Sequence, residues 1–100
     1  MTTPRTAVIV GGGISGLATA FSLQEQAEAA GHAIRCIMLE SGPSWGGKIV
    51  THRIGELTTE AGPDSFLSQK QAGLELCRKL GLTDQLINTN ETAKRAFVLS

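Results

Sequence analysis

Net charge is missing from this sequence. Nine Lys and Arg offset nine Asp and Glu over 100 residues. That argues against a nucleic-acid binder, whose electrostatic footprint is a basic patch. The densest basic pairs, Arg78-Lys79 and Lys94-Arg95, read as solvated faces. Cysteine is scarce as well. Cys36 and Cys77 lie 41 positions apart, and neither belongs to a CxxC or a His-flanked cluster. The pattern predicts two buried thiols in a reducing compartment rather than a metal site. His32 and His52 are isolated and read as surface or turn residues. Long apolar runs are absent. Ala7 to Val10 is too short for a signal-peptide core and leads straight into glycines. No stretch approaches the roughly 20 apolar residues of a membrane span. Together these absences predict a soluble, cytoplasmic protein. There are no repeats and no low-complexity segments. The length fits one small domain or part of a larger one.

Glycine, by contrast, is concentrated. "VIVGGGISGLATA" runs from Val8 to Ala20 and places three consecutive glycines directly after an apolar run. Glycine is the costliest residue to order, so bare backbone is needed there. "TAVIV" (Thr6 to Val10) reads as a strand buried on both faces. From Ile14 to about Ala30 the pattern is helical, with Ile14, Leu17, Ala18 and Phe21 on one face and Gly31 as C-terminal cap. "AIRCIML" (Ala33 to Leu39) is a second buried strand, so the order predicts a right-handed βαβ unit. "KIVTHRIGELTTE", broken by Gly55, predicts a short β-hairpin. Ser68 with Gln71 predicts a capping box for a helix from about Lys70 to Leu80, closed by Gly81 and Leu82. A short helix is expected after Thr83-Asp84, and "RAFVLS" reads as a terminal strand.

Gly11, Gly13 and Gly16 fit G-x-G-x-x-G between a strand and a helix, the context that gives the motif its meaning. The first glycine allows the tight turn. The second lets a pyrophosphate approach the main chain, and the third lets helix and strand pack closely. Free N–H groups from Ile14, Ser15 and Gly16 then face the phosphates, helped by the helix dipole. The loop has no lysine, so it is not a P-loop. Glu40 ends the second strand, 24 positions after Gly16. A carboxylate there accepts hydrogen bonds from both ribose hydroxyls and repels a 2′-phosphate, which disfavours NADP. NAD and FAD share this half of a site. Gly46-Gly47 follows six positions after Glu40. Bare backbone there lets the chain approach the middle of a long dinucleotide, with Lys48 as a donor; a plain turn into the hairpin is the alternative.

These residues resemble the flavoprotein superfamily of amine oxidases, carotenoid desaturases and protoporphyrinogen oxidases. The shared pattern is GxGxxG, an acid after the second strand, and GG(R/K)xxT, here Gly46-Gly47-Lys48 with Thr51. "EAGPDSFLSQK" followed by "LELCRKLGL" is similar to the N-terminal region of the bacterial protoporphyrinogen/coproporphyrinogen oxidases. The resemblance implies FAD contacts at Gly11, Gly12, Gly13, Ile14, Ser15, Gly16, Glu40, Ser41, Gly47, Lys48, Gly62, Pro63, Asp64 and Ser65, the last four near the flavin. Pro63 holds Gly62 extended and lacks an N–H, so that segment can pass a flat ring without wasting a donor. Asp64 and Ser65 are expected to hold the next turn through side-chain-to-backbone bonds.

The resemblance also implies the chemistry, a porphyrinogen oxidised with FAD as the hydride acceptor and oxygen as the terminal oxidant. No residue stands out as a catalytic acid or base. Members of the superfamily are several times longer and add a substrate domain. The chain is therefore expected to be the N-terminal part of an α/β, Rossmann-like FAD domain, without its substrate domain and inactive alone. An amine oxidase or desaturase, or a non-catalytic nucleotide-binding module, are the alternatives. Oligomeric state, membrane contact and the choice between the two porphyrinogens are left open by the residues.

Overall fold

The computed structural model describes residues 4–88. The chain forms two compact units, Met1–Asp64 and Ser65–Ser100. "RAFVLS" lies outside the described residues.

In the first unit, strand β1 (Arg5–Val10) is followed by helix α1 (Ile14–Ala29) and strand β2 (Ile34–Leu39). The strands pair in parallel from Arg5↔Ile34 to Val10↔Leu39, which is the expected βαβ order. The helix ends as its sequence predicts. Gly31 takes φ +71, its N–H donates to the Glu28 carbonyl, and the His32 N–H donates to the Ala27 carbonyl. That is a Schellman closure, and it needs a residue that tolerates the left-handed region.

Burial departs from the expectation in three places. Neither strand is buried on both faces. Ala7, Ile9, Cys36 and Met38 are half-buried, while Val8, Val10, Ile37 and Leu39 are exposed, Val10 at 83%. The half-buried face is the helix side, because the Ile9 methyl points at Gly16 of α1. Among the described residues one helix covers one face of a two-stranded sheet, and no other element of this unit packs on the second. On α1 itself, Ala18 and Phe21 are half-buried but Ile14 and Leu17 are exposed. Gly16, Ala20, Leu23 and Ala27, at helical spacing, are half-buried as well, and Gly16 of this row packs on β1 at Ile9. The missing side chain of Gly16 lets helix and strand approach. Finally, Cys36 and Cys77 are free thiols that are half-buried, not buried.

Strands β3 (Thr51–Ile54) and β4 (Leu57–Glu60) form the predicted antiparallel hairpin. Gly55 opens its two-residue turn at φ +63, and among the described residues no non-glycine residue has positive φ. Glycine at the first turn position is the type II′ pattern, whose twist matches the flanking strands.

In the second unit, α2 (Gln71–Lys79) is capped by Lys70 without a side-chain bond, so the Ser68–Gln71 capping box does not form. The turn before it closes through the backbone, Lys70 N–H to the Leu67 carbonyl at 2.9 Å. Asp64 and Ser65 make none of the side-chain bonds among the described residues. The Phe66 ring rests on Gly73, whose missing Cβ leaves room for it. Gly81 (φ +73) and the Leu82 N–H, donating to the Cys77 carbonyl at 2.8 Å, end α2 as predicted. A single 3₁₀ turn, Thr83–Gln85, follows.

Candidate dinucleotide site

Gly11 leaves β1 with φ +106, and its N–H still donates to the Leu39 carbonyl at 2.7 Å. The chain therefore turns sharply without losing its place on β2. Gly13 is the N-cap of α1, in ordinary extended geometry. The first helical bond runs from the Leu17 N–H to the Gly13 carbonyl at 3.0 Å. Among the described residues, no hydrogen bond satisfies the N–H groups of Ile14, Ser15 or Gly16. No side chain caps this end and no acid occupies its first turn. It is an open cluster of donors at the positive end of a helix dipole.

Each glycine meets a distinct steric demand. A Cβ on Gly16 would fall on the Gly11 carbonyl oxygen, so the third glycine sets the helix–strand distance. A Cβ on Gly13 would meet nothing nearer than the Gly47 Cα at 3.9 Å, so the second faces open space. Gly12 occupies a variable position of the motif, and its backbone is fully used within the protein. Its N–H donates to Glu40 Oε1 at 2.6 Å, and its carbonyl accepts from the Gly46 N–H at 2.8 Å.

The second glycine pair lies beside the first. Gly13 and Gly46 form a parallel bridge, and Gly46 and Gly47 both have positive φ, at +102 and +59. A Cβ on Gly47 would approach the Gly13 Cα to 3.1 Å. Gly62 packs on the Lys48 carbonyl with no room for a Cβ. The Ala61 N–H fixes that crossing by donating to the Val50 carbonyl at 2.8 Å. An open cleft of about 480 Å³ results, walled by the glycine loop and the start of α1, by Gly46 to Ile49, and by Pro63. Lys48 is the one charged side chain in that wall.

Glu40 stands at the side of the loop. Its second oxygen, Oε2, accepts from the Gly42 N–H at 2.6 Å. Gly42 and then Gly12 hold this carboxyl below its ordinary value of 4.5. Each oxygen bonds one backbone N–H and keeps acceptor capacity for a further donor.

Of the predicted site residues, Gly11, Gly13, Ile14, Ser15, Gly16, Gly47, Lys48 and Pro63 line the cleft. Gly12 and Glu40 support its edge, Gly62 seats Pro63 against Lys48, and Ser41 is exposed beside Glu40. Asp64 closes the first unit and Ser65 opens the second. The sequence reading missed Gly42, the second anchor of Glu40. The signal was a glycine two positions after the acid, where a Cβ would come within 3.0 Å of Oε2.

A family model, Flavin containing amine oxidoreductase, matches residues 14–100. Coproporphyrinogen III oxidase of Bacillus subtilis (strain 168) is 40% identical over 81 residues, covering 81% of this chain and 17% of its own length. That of Propionibacterium freudenreichii subsp. freudenreichii is 46% identical over 80 residues, covering 80% of this chain and 14% of its own. A crystal structure assigned as a protoporphyrinogen oxidase from Exiguobacterium sp. 255-15 superposes with a TM-score of 0.70 at 37% identity, over 84% of this chain and 18% of that one. The chain thus spans less than a fifth of these relatives. The match bears out the α/β flavoprotein fold and FAD as the cofactor the family implies. The donor set fits that cofactor, with unsatisfied N–H groups and one lysine for a pyrophosphate and an ionised acid for a sugar. No helix among the described residues is long and apolar enough to cross a membrane.

Proposed function

This chain belongs to the flavin containing amine oxidoreductase family, and from that premise we propose that it is the N-terminal, FAD-binding portion of an oxygen-dependent porphyrinogen oxidase of haem biosynthesis. The observation that carries the reading is the pairing of unsatisfied N–H groups at the start of α1 with Glu40 at the end of β2. The first is suited to two phosphate charges and the second to the hydroxyls of one ribose.

These residues would hold FAD, which would supply hydride acceptance from a porphyrinogen with oxygen as the terminal oxidant. The residues of this chain bind and orient. Ile14, Ser15 and Gly16 hold the pyrophosphate, and Lys48 adds a cation to the same wall. Glu40 and Ser41 hold the sugar. Gly62, Pro63, Asp64 and Ser65 form the segment near the ring system. Coproporphyrinogen III or a protoporphyrinogen is the substrate class, as the names of the relatives suggest. The substrate domain belongs to the longer protein, which works in the cytoplasm, and these 100 residues alone do not turn over.

The test is FAD uptake by the purified chain. Flavin absorbance that stays with the protein through gel filtration, with a Kd set by titration, supports the reading. NAD binding without flavin indicates a dehydrogenase-like module instead, and binding of neither refutes the site.

A further inference from the structure

Trp45 is the chain's only tryptophan, and the dinucleotide reading leaves it without a task. Its ring has an unusual seat. Among the described residues Gly12 alone is buried, and a Cβ built there would fall on ring atoms Cε3 and Cζ3 of Trp45. Glu40 Oε1 lies 3.1 Å from that same point. The indole, the Gly12 backbone and the carboxylate therefore meet at one place. Even so, Trp45 keeps 56% of its surface exposed. Part of the ring rests on Gly12, and the remainder is an open aromatic surface beside an ionised acid.

The direction of the site gives that surface a meaning. In the proposed function the free N–H groups of Ile14 to Gly16 take the pyrophosphate and the segment from Gly62 to Ser65 lies near the ring system; Lys48 and Pro63 wall the cleft. Trp45 is not part of that wall. It stands at Glu40, across Gly12, where the sugar of the adenosine half is held. Every nucleobase has a π face, and aromatic side chains bind such faces by stacking. An amphipathic ring with one side fixed and the other bare suits that use.

We infer that Trp45 is a further binding residue of this site, its indole covering the adenosine half of the dinucleotide beside Glu40. The inference rests on the proposed FAD-binding function. It also accounts for Gly12, since any side chain at that position would displace the ring.

The experiment uses the whole chain and ADP, which carries adenosine and pyrophosphate without a flavin. Trp45 is the only indole, and ADP does not absorb in the range of indole emission, so a change in that emission reports the ring's surroundings. The expected result is a saturable emission change on titration. Trp45→Ala should bind ADP about tenfold more weakly by calorimetry, and Trp45→Phe, which keeps a ring, should stay near the unmutated chain. Unaltered emission while calorimetry records ADP binding overturns the inference, as does a Trp45→Ala chain that binds like the original. If Ala and Phe weaken binding equally and both lower the melting temperature, the ring is only a prop for the loop, and the inference fails. A chain that binds no ADP at all removes the proposed function first, and this inference with it.

Discussion

Gly13→Ala separates a ligand effect from a folding effect. At φ −78 and ψ −172, residue 13 needs no positive-φ backbone, and a Cβ there would meet only the Gly47 Cα at 3.9 Å. Alanine is a poorer N-cap than glycine by up to about 1 kcal/mol. It also removes about 0.4–1 kcal/mol of unfolded-state entropy. The two nearly cancel, so the ligand-free variant should melt close to the original. Binding is another matter. The new methyl stands in the cleft between the two glycine pairs, where the pyrophosphate must reach the N–H groups of α1. Pushing a phosphate off two such donors forfeits about 1.5–3 kcal/mol each. At 1.4 kcal/mol per factor of ten, that is a loss of roughly 10²- to 10⁴-fold in FAD affinity. Gly13→Val should lose more. Gly16→Ala is the opposite case. Its Cβ falls on the Gly11 carbonyl, so helix and strand must part. Overpacking of that kind costs about 1–3 kcal/mol. Melting should fall by about 4–8 °C per kcal/mol in a chain of this size. Calorimetric FAD titration and thermal melting by circular dichroism read the two arms. A Gly13→Ala chain that binds FAD with an unchanged Kd would refute the placement of the pyrophosphate.

The Glu40 carboxyl is held below 4.5 by the Gly42 and Gly12 N–H groups, so its contribution to stability is full above 4.5 and lost as pH falls through the lower folded value. Glu75, lowered chiefly by its hydrogen bond from Arg78, acts over a similar acid range. Melting curves of the original chain and Glu40→Gln across that range isolate the Glu40 share, and parallel curves would contradict it. Glu40→Gln should also bind FAD more weakly at neutral pH, because a neutral amide accepts hydrogen bonds less strongly. Gly62→Ala places a methyl on the Lys48 carbonyl, so the Lys48–Pro63 wall should open. The expected readouts are a lower melting temperature and weaker FAD binding together, and a variant that melts and binds normally would show that the contact is dispensable.

The features legible in the sequence are those written in local backbone rules. Gly31, Gly55 and Gly81 lie at the turns and caps foreseen for them because only glycine takes positive φ without strain. The βαβ order followed from two apolar runs around a helical one. What the sequence hid depends on what covers what. Val8 and Val10 read as buried because a β-branched run carries no information about whether a second layer exists, and α1 supplies only one. Ile14 and Leu17 misled for a related reason. Gly16 must sit on the Gly11 carbonyl, and with that face of the helix against the strand Ile14 and Leu17 are left exposed while Phe21 and Leu23 are half-buried. The candidate site shows the same division. Its glycines and Glu40 were readable from spacing, but Gly42 and Trp45 were not, because the loop folds Gly42 onto the acid locally and brings Trp45 back onto Gly12, 33 positions away. One hint of that return was present. The motif leaves its second position free, yet the chain places glycine there too, and an unforced glycine implies that something must lie against it. In this chain that something is the Trp45 ring, which makes Gly12 as much a packing residue for the loop from Ser41 to Gly47 as a member of the phosphate turn.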